Sequence, residues 1–247
     1  MLTLLRPLRV AVLSSRRCPG AADLLADPAL GRRWQLACVF SSEPEFATRR
    51  LFLDADVPLV SLSIRDFYRR RRAPLSDMAV RREYDAEVAT RLRLWAPDLL
   101  LLSSYLYVAT PALLEVAPEG AINIHGSDLA LLGADDRPRY PGLRAVADAI
   151  VAGETSTRAT AHWVTEEVDA GPLILRSRPY PVAPFVGDLL ADGNLHAVRA
   201  YAFAHQEWML ADAWGPLATQ AIRQAAAGRR APDLGPLAAP ALGVSRS

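Results

Sequence analysis

Lysine is absent from this 247-residue sequence, and all 28 basic side chains are arginines. That excludes Schiff-base chemistry on a lysine amine and a P-loop that needs its lysine. Cysteine is scarce, with Cys18 and Cys38 alone. They form no CxxC pair and no metal-ligand spacing, so neither a disulfide framework nor a metal site is expected. Cys38 lies in the apolar run 36–40 and reads as a buried strand residue. No apolar run reaches membrane-spanning length. Arg6 and Arg9 interrupt the opening residues too early for a secretory core, so a cytoplasmic chain without a membrane partner is expected. Excess charge is lacking too. The formal net charge of +1 gives no bulk attraction for nucleic acid.

What is present is an alternation of short apolar runs and longer amphipathic stretches, which predicts an α/β fold with a doubly wound, mostly parallel sheet. The length suits one such domain. Strands are expected at 9–13, 35–40, 58–62, 98–102, 120–125, 159–164 and 172–175. Helices are expected near 21–25, 45–54, 76–95, 143–151 and 195–227, the last broken at Gly215-Pro216. Pro232, Pro236 and Pro240 punctuate the C-terminal stretch, which predicts a catalytic domain over 1–228 and a flexible tail over 229–247. The run 69–72 of four arginines reads as a solvated charged segment.

Ligands of doubly wound sheets sit at the carboxyl ends of the strands. Asn123 and His125 stand at such an end, two residues apart, so their side chains share a face. Downstream, the acidic stretch 165–169 links two apolar runs, and Asp169 could fold back towards His125. An amide donor for an oxyanion, an imidazole to move protons and a carboxylate to orient it suit acyl transfer. From spacing alone, a histidine at a strand end is more often structural than catalytic, and acidic loops are common.

Three motifs in order add to this reading. Ile122-Asn123-Ile124-His125, Tyr140-Pro141-Gly142-Leu143 and Val168-Asp169-Ala170-Gly171-Pro172 resemble the signatures of formyltransferases that use 10-formyltetrahydrofolate. The resemblance runs from about residue 9 to about 228. It implies a Rossmann-like fold, 10-formyltetrahydrofolate as formyl donor and a small amine as acceptor, in a monomer or homodimer. Asn123 would bind the formyl oxygen and stabilise a tetrahedral intermediate, His125 would shuttle protons and Asp169 would support it. Leu106, Tyr107, Val108 and Ala109 match the segment lining the pterin pocket, and Thr165, Glu166, Glu167 and Val168 the folate loop. Arg81 matches a folate-contacting position, although an exposed helix arginine fits that position equally. His162 matches a second family histidine and could equally be a satisfied core group.

The sequence also departs from that pattern. The glycinamide ribonucleotide enzymes, which the chain resembles in length and which belong to purine biosynthesis, cradle a phosphate on a glycine-rich turn after the first strand. Here Ser15, Arg16 and Arg17 would have to bind the acceptor by side chain. Tyr107 replaces an arginine. Residues 126–139 run about eight residues longer than is usual, bringing Asp135 and Asp136 towards the acceptor. Formyltetrahydrofolate hydrolase, with water as acceptor, is a second reading, although its usual N-terminal regulatory domain has no counterpart here. A silent folate-binding module is a third. Methionyl-tRNA formyltransferase is disfavoured by the lack of room for a tRNA-binding domain.

Overall fold

The computed structural model describes residues 6–230. In chain order the elements are β1 (Leu8–Ser14), α1 (Ala21–Ala26), β2 (Trp34–Ser41), α2 (Arg49–Asp54), β3 (Leu59–Ser61), α3 (Ile64–Arg71) and α4 (Met78–Arg93). Then follow β4 (Leu99–Leu102), α5 (Pro111–Leu114), β5 (Ala121–His125), α6 (Ala145–Val151), β6 (Ser156–Thr157) and β7 (Thr160–Trp163). The last are β8 (Leu173–Arg176), β9 (Tyr180–Pro181), α7 (Phe185–Ala191) and α8 (Leu195–Ala226). Seven strands form one sheet in the order β3-β2-β1-β4-β5-β7-β8. The pairs from β3 to β5 are parallel, and β7 runs antiparallel to both β5 and β8. This is the expected doubly wound, mostly parallel arrangement.

Strand alternation divides the interior into two cores. Val10, Val12, Leu99, Leu101, Ile122 and Ile124 face the core that includes α1, α6 and α8. Ala11, Leu13, Leu100, Leu102 and Ala121 face the core that includes α3, α4 and α5. Runs of leucine and valine are what a strand covered on both sides requires. On β5 the second face changes character: after Ala121 its next two positions are Asn123 and His125. The polar residues stand where that core reaches the carboxyl end of the sheet.

The expected break at Gly215-Pro216 does not occur. α8 continues for 32 residues with Pro216 inside it. Pro216 removes one backbone donor, but tertiary packing outweighs that loss. Leu217, Ala218, Ala221 and Ile222 are fully buried beyond it. Gly215 is there because α1 comes close: a Cβ on it would lie 2.1 Å from Asp23 Oδ2. The sequence reading also omitted α3, which turns three of the four arginines of 69–72 into the exposed last turn of a helix. Its first turn is capped by Ser63, whose hydroxyl accepts from Asp66 N–H. Most of the expected tail lies outside the described residues. Arg230, at its start, donates to Glu119 and lies over the Trp163 ring. No helix among the described residues is long and apolar enough to cross a membrane.

Candidate active site

A cavity of about 370 Å³ opens over the carboxyl ends of β4 and β5. Asn123, His125 and Asp169 all line it, as do Leu106, Tyr107, Val108, Ala109, Thr165, Glu166, Glu167 and Val168. The fold thus gathers into one place candidate residues from three separate segments, 106–109, 123–125 and 165–169.

Asp169 reaches the site through a sharp loop. β7 and β8 pair directly, and the residues between them turn back over the sheet end, with Asp169 itself at φ 55°. Aspartate tolerates this left-handed region better than most residues, because its short polar side chain bonds locally. Gly171 lets the loop close: a Cβ there would lie 1.8 Å from the Trp163 carbonyl oxygen. Asp169 Oδ2 then lies 3.5 Å from His125 Nδ1 and accepts from Gly142 N–H at 2.7 Å. The other imidazole nitrogen of His125 is 3.2 Å from the Tyr140 carbonyl. That carbonyl can only accept, so Nε2 donates to it and Nδ1 is left to exchange a proton beside Asp169. The segment 140–143 therefore acts through its backbone, fixing both His125 and Asp169. The sequence reading recognised this motif without giving it that task.

His162 lines the same cavity. In the antiparallel register it sits directly opposite Asn123, where cross-strand side chains touch. Burial is the main cause that pushes its pKa down, to about 4, against the opposing pull of Asp169. The neutral ring presents Nδ1 to the Trp163 carbonyl at 3.0 Å. Nε2 is then free to accept from the Asn123 amide at 3.1 Å. This contact fixes which way the Asn123 amide points and leaves its second N–H for a ligand. The pairing of the last expected strands, had it been assigned, would have revealed this contact.

The remaining candidates do not line the cavity. Arg81 is neither exposed nor in the wall. It is buried, donates to the Tyr68 hydroxyl at 3.1 Å and lies 4.7 Å from the Tyr107 ring centroid, backing the ring that does face the cavity. Ser15 is buried and accepts from Leu106 N–H at 3.1 Å, tying the loop after β1 to the cavity wall. Arg17 makes a bidentate contact with Glu207 at 2.7 and 2.8 Å. Arg16 is exposed. Asp135 and Asp136 are exposed in the 126–139 loop and do not line the cavity. That loop instead touches the site's edge through Arg137, paired with Glu167 at 3.0 Å. A hairpin-like bridge between Leu132 and Pro138 turns the inserted acidic residues outward.

Residues 8–184 match the family described as formyl transferase. The chain belongs to that family. Similar proteins carry different names. A glycinamide ribonucleotide transformylase from Symbiobacterium toebii is 26% identical, with 90% of this chain and 89% of that one covered at a TM-score of 0.62. A formyltetrahydrofolate deformylase from Pseudomonas syringae pv. tomato is 25% identical, with coverage of 82% and 62% and a TM-score of 0.57. A methionyl-tRNA formyltransferase from Trichlorobacter lovleyi is 29% identical over 168 residues, 61% of this chain and 50% of that protein. The chain spans half or less of the length of the first curated relatives it matches.

Proposed function

We propose that this protein transfers a formyl group from 10-formyltetrahydrofolate to the amine of a small acceptor. The observation that carries the reading is the convergence of Asn123, His125 and Asp169 in one cavity. The cavity suits the donor. Both segments that would flank a pterin, 106–109 and 165–168, lie outside the strands, so their peptide groups are not consumed by the sheet ladder and can read a heterocycle's edge. Tyr107 offers a ring face backed by Arg81.

In the reaction a neutral amine nitrogen bonds to the formyl carbon and the bond from that carbon to N10 of the folate breaks. The amine loses one proton and N10 gains one, giving a formamide and tetrahydrofolate. Asn123 donates to the formyl oxygen as it acquires charge in the tetrahedral intermediate. His125 carries the proton between the two nitrogens, with Asp169 stabilising its charged form. His162 does not titrate in this scheme. It holds Asn123.

The test is incubation with 10-formyltetrahydrofolate and a panel of small amines, following tetrahydrofolate release and formylated product together. Amine-dependent product that disappears in His125→Ala supports the reading. Tetrahydrofolate release without formylated amine would make water the acceptor, and donor binding with no turnover would leave a folate-binding protein. Either result refutes the transferase.

A further inference from the structure

The residues lining the cavity come from both faces of the sheet and differ in chemistry. One group, 106–109 and 165–168, lies on the side of α4 and α5. The other lies across the end of β5 on the opposite face, where Ile124, Val146, Leu210 and Trp214 form a wall. These four are between 2% and 6% exposed, so the wall is fixed by the core behind it. Leu143 also lines the cavity and is 68% exposed. Its large apolar side chain has little of the protein against it. Gln206 is the polar side chain that α8 adds to the lining.

Charge points the same way. None of the described residues lining the cavity is an arginine, whereas Asp169 lies at the junction of the two groups of residues and Glu166 lines the 165–168 side beside Glu167, which is paired with Arg137. Arg17 follows β1 on the loop facing α8, and both of its terminal nitrogens are held by Glu207. The pairing is mutual: hydrogen bonding to Glu207 raises the arginine's pKa, and hydrogen bonding to Arg17 lowers the carboxylate's. A phosphate held within the cavity would meet no arginine among its described lining residues and would give up its water without compensation; Arg16 is exposed on the loop outside that lining.

We infer that the acceptor is an amine carried on an apolar, unphosphorylated body, with the amine reaching His125 and Asp169 while its alkyl or aryl portion rests on Leu143, Val146, Leu210 and Trp214. This rests on the transferase reading and deepens it by naming the substrate class. Carboxylates lining the cavity favour approach of a cationic amine, which must then release a proton before it can attack. Apolar contacts supply the discrimination, at about tenfold or more for each methylene group that is buried.

The experiment compares kcat/KM for phenethylamine and hexylamine with those for glycinamide and glycinamide ribonucleotide, 10-formyltetrahydrofolate being the donor throughout. Donor affinity is measured separately by calorimetry. The apolar amines are expected to exceed both glycinamides by about tenfold or more. Leu143→Ser, at an exposed position that folding does not depend on, should raise the KM for phenethylamine severalfold and leave donor affinity unchanged. Leu210→Gln should do the same more strongly if it folds. A preference for glycinamide ribonucleotide, or a Leu143→Ser variant with unaltered KM for phenethylamine, overturns this inference and leaves the transferase reading intact. Failure to bind the donor at all overturns the transferase reading itself, and this inference with it.

Discussion

The two faces of β5 lie one residue apart and are built on opposite terms. On one face Asn123 and His125 are held by directed contacts: the amide by His162, the imidazole by a backbone carbonyl and a carboxylate. On the other face Ile124 is held by packing against the core of α6 and α8. Each face also holds a buried polar atom without a hydrogen-bond partner among the described residues, Tyr105 Oη on the first and Trp214 Nε1 on the second, so burial of polar groups does not distinguish them. The comparison separates two duties at one strand end. The polar face supplies orientation, and the apolar face supplies stability and shapes what can enter.

The largest expected effects fall on the polar face alone. His125→Ala should lower single-turnover formyl transfer by about 10²-fold or more, and Asn123→Ala by about 10²–10³-fold. Asn123→Ala also strands the buried His162 Nε2 and should cost about 1–3 kcal/mol of stability, so transfer is compared per folded molecule. Near-normal transfer in both variants would end the assignment of chemistry to this face.

Two glycines, one behind each face, give the comparison its sharpest contrast. An added methyl at Gly171 meets the Trp163 carbonyl at 1.8 Å, so Gly171→Ala must displace the loop that carries Asp169. A shift of about 1 Å in a reacting group can cost about 10²-fold, and turnover should fall on that scale. An added methyl at Gly215 meets Asp23 at 2.1 Å, forcing α8 away from α1. Gly215→Ala should therefore cost about 1–3 kcal/mol of stability, the usual range for overpacking, and lower turnover per folded molecule less than Gly171→Ala does, because the neighbouring Trp214 lines the cavity without holding a reacting group. Denaturant melts and active-site titration on both variants check this. The separation fails if Gly171→Ala loses mainly stability or Gly215→Ala mainly turnover.

How legible this was from sequence depends on the distance over which each feature is decided. Leucine runs and period-2 polar residues are local, so β4, β5 and the shared face of Asn123 and His125 could be read directly. The loop bearing Asp169 was legible through its motif, but not the way it is closed by Gly171 against Trp163. Gly215-Pro216 misled because glycine and proline are local signals for a break, while the outcome was decided by α8 packing along its whole length. The Arg17–Glu207 pair joins residues 190 positions apart, and no spacing rule announces it. The same holds for Arg81, whose helix position gave no hint that it turns inward to Tyr107.

The smallest effect concerns acid, where His162 and Asp85 should pull in opposite directions. Burial lowers the pKa of His162 from 6.5 to about 4. Between those values the unfolded chain binds a proton that the folded chain refuses, so stability falls as pH falls through that window and the loss is complete below it. Burial raises the pKa of Asp85 from 3.8 to about 6. There the folded chain holds the extra proton, and stability falls as pH rises from about 3.8 to about 6. The two terms overlap and partly cancel in the native profile, so the wild-type curve alone is a poor witness. Single variants expose them. His162→Gln should flatten the acid side, removing a slope of no more than about 1.4 kcal/mol per pH unit between about 6.5 and 4. Asp85→Asn should remove the opposing slope and leave the protein losing stability more steeply in acid. Chemical denaturation at half-unit steps from pH 4 to pH 7 measures both. Identical slopes for wild type and His162→Gln would mean that His162 is not held neutral by the fold, and that Asn123 is oriented by something other than its imidazole.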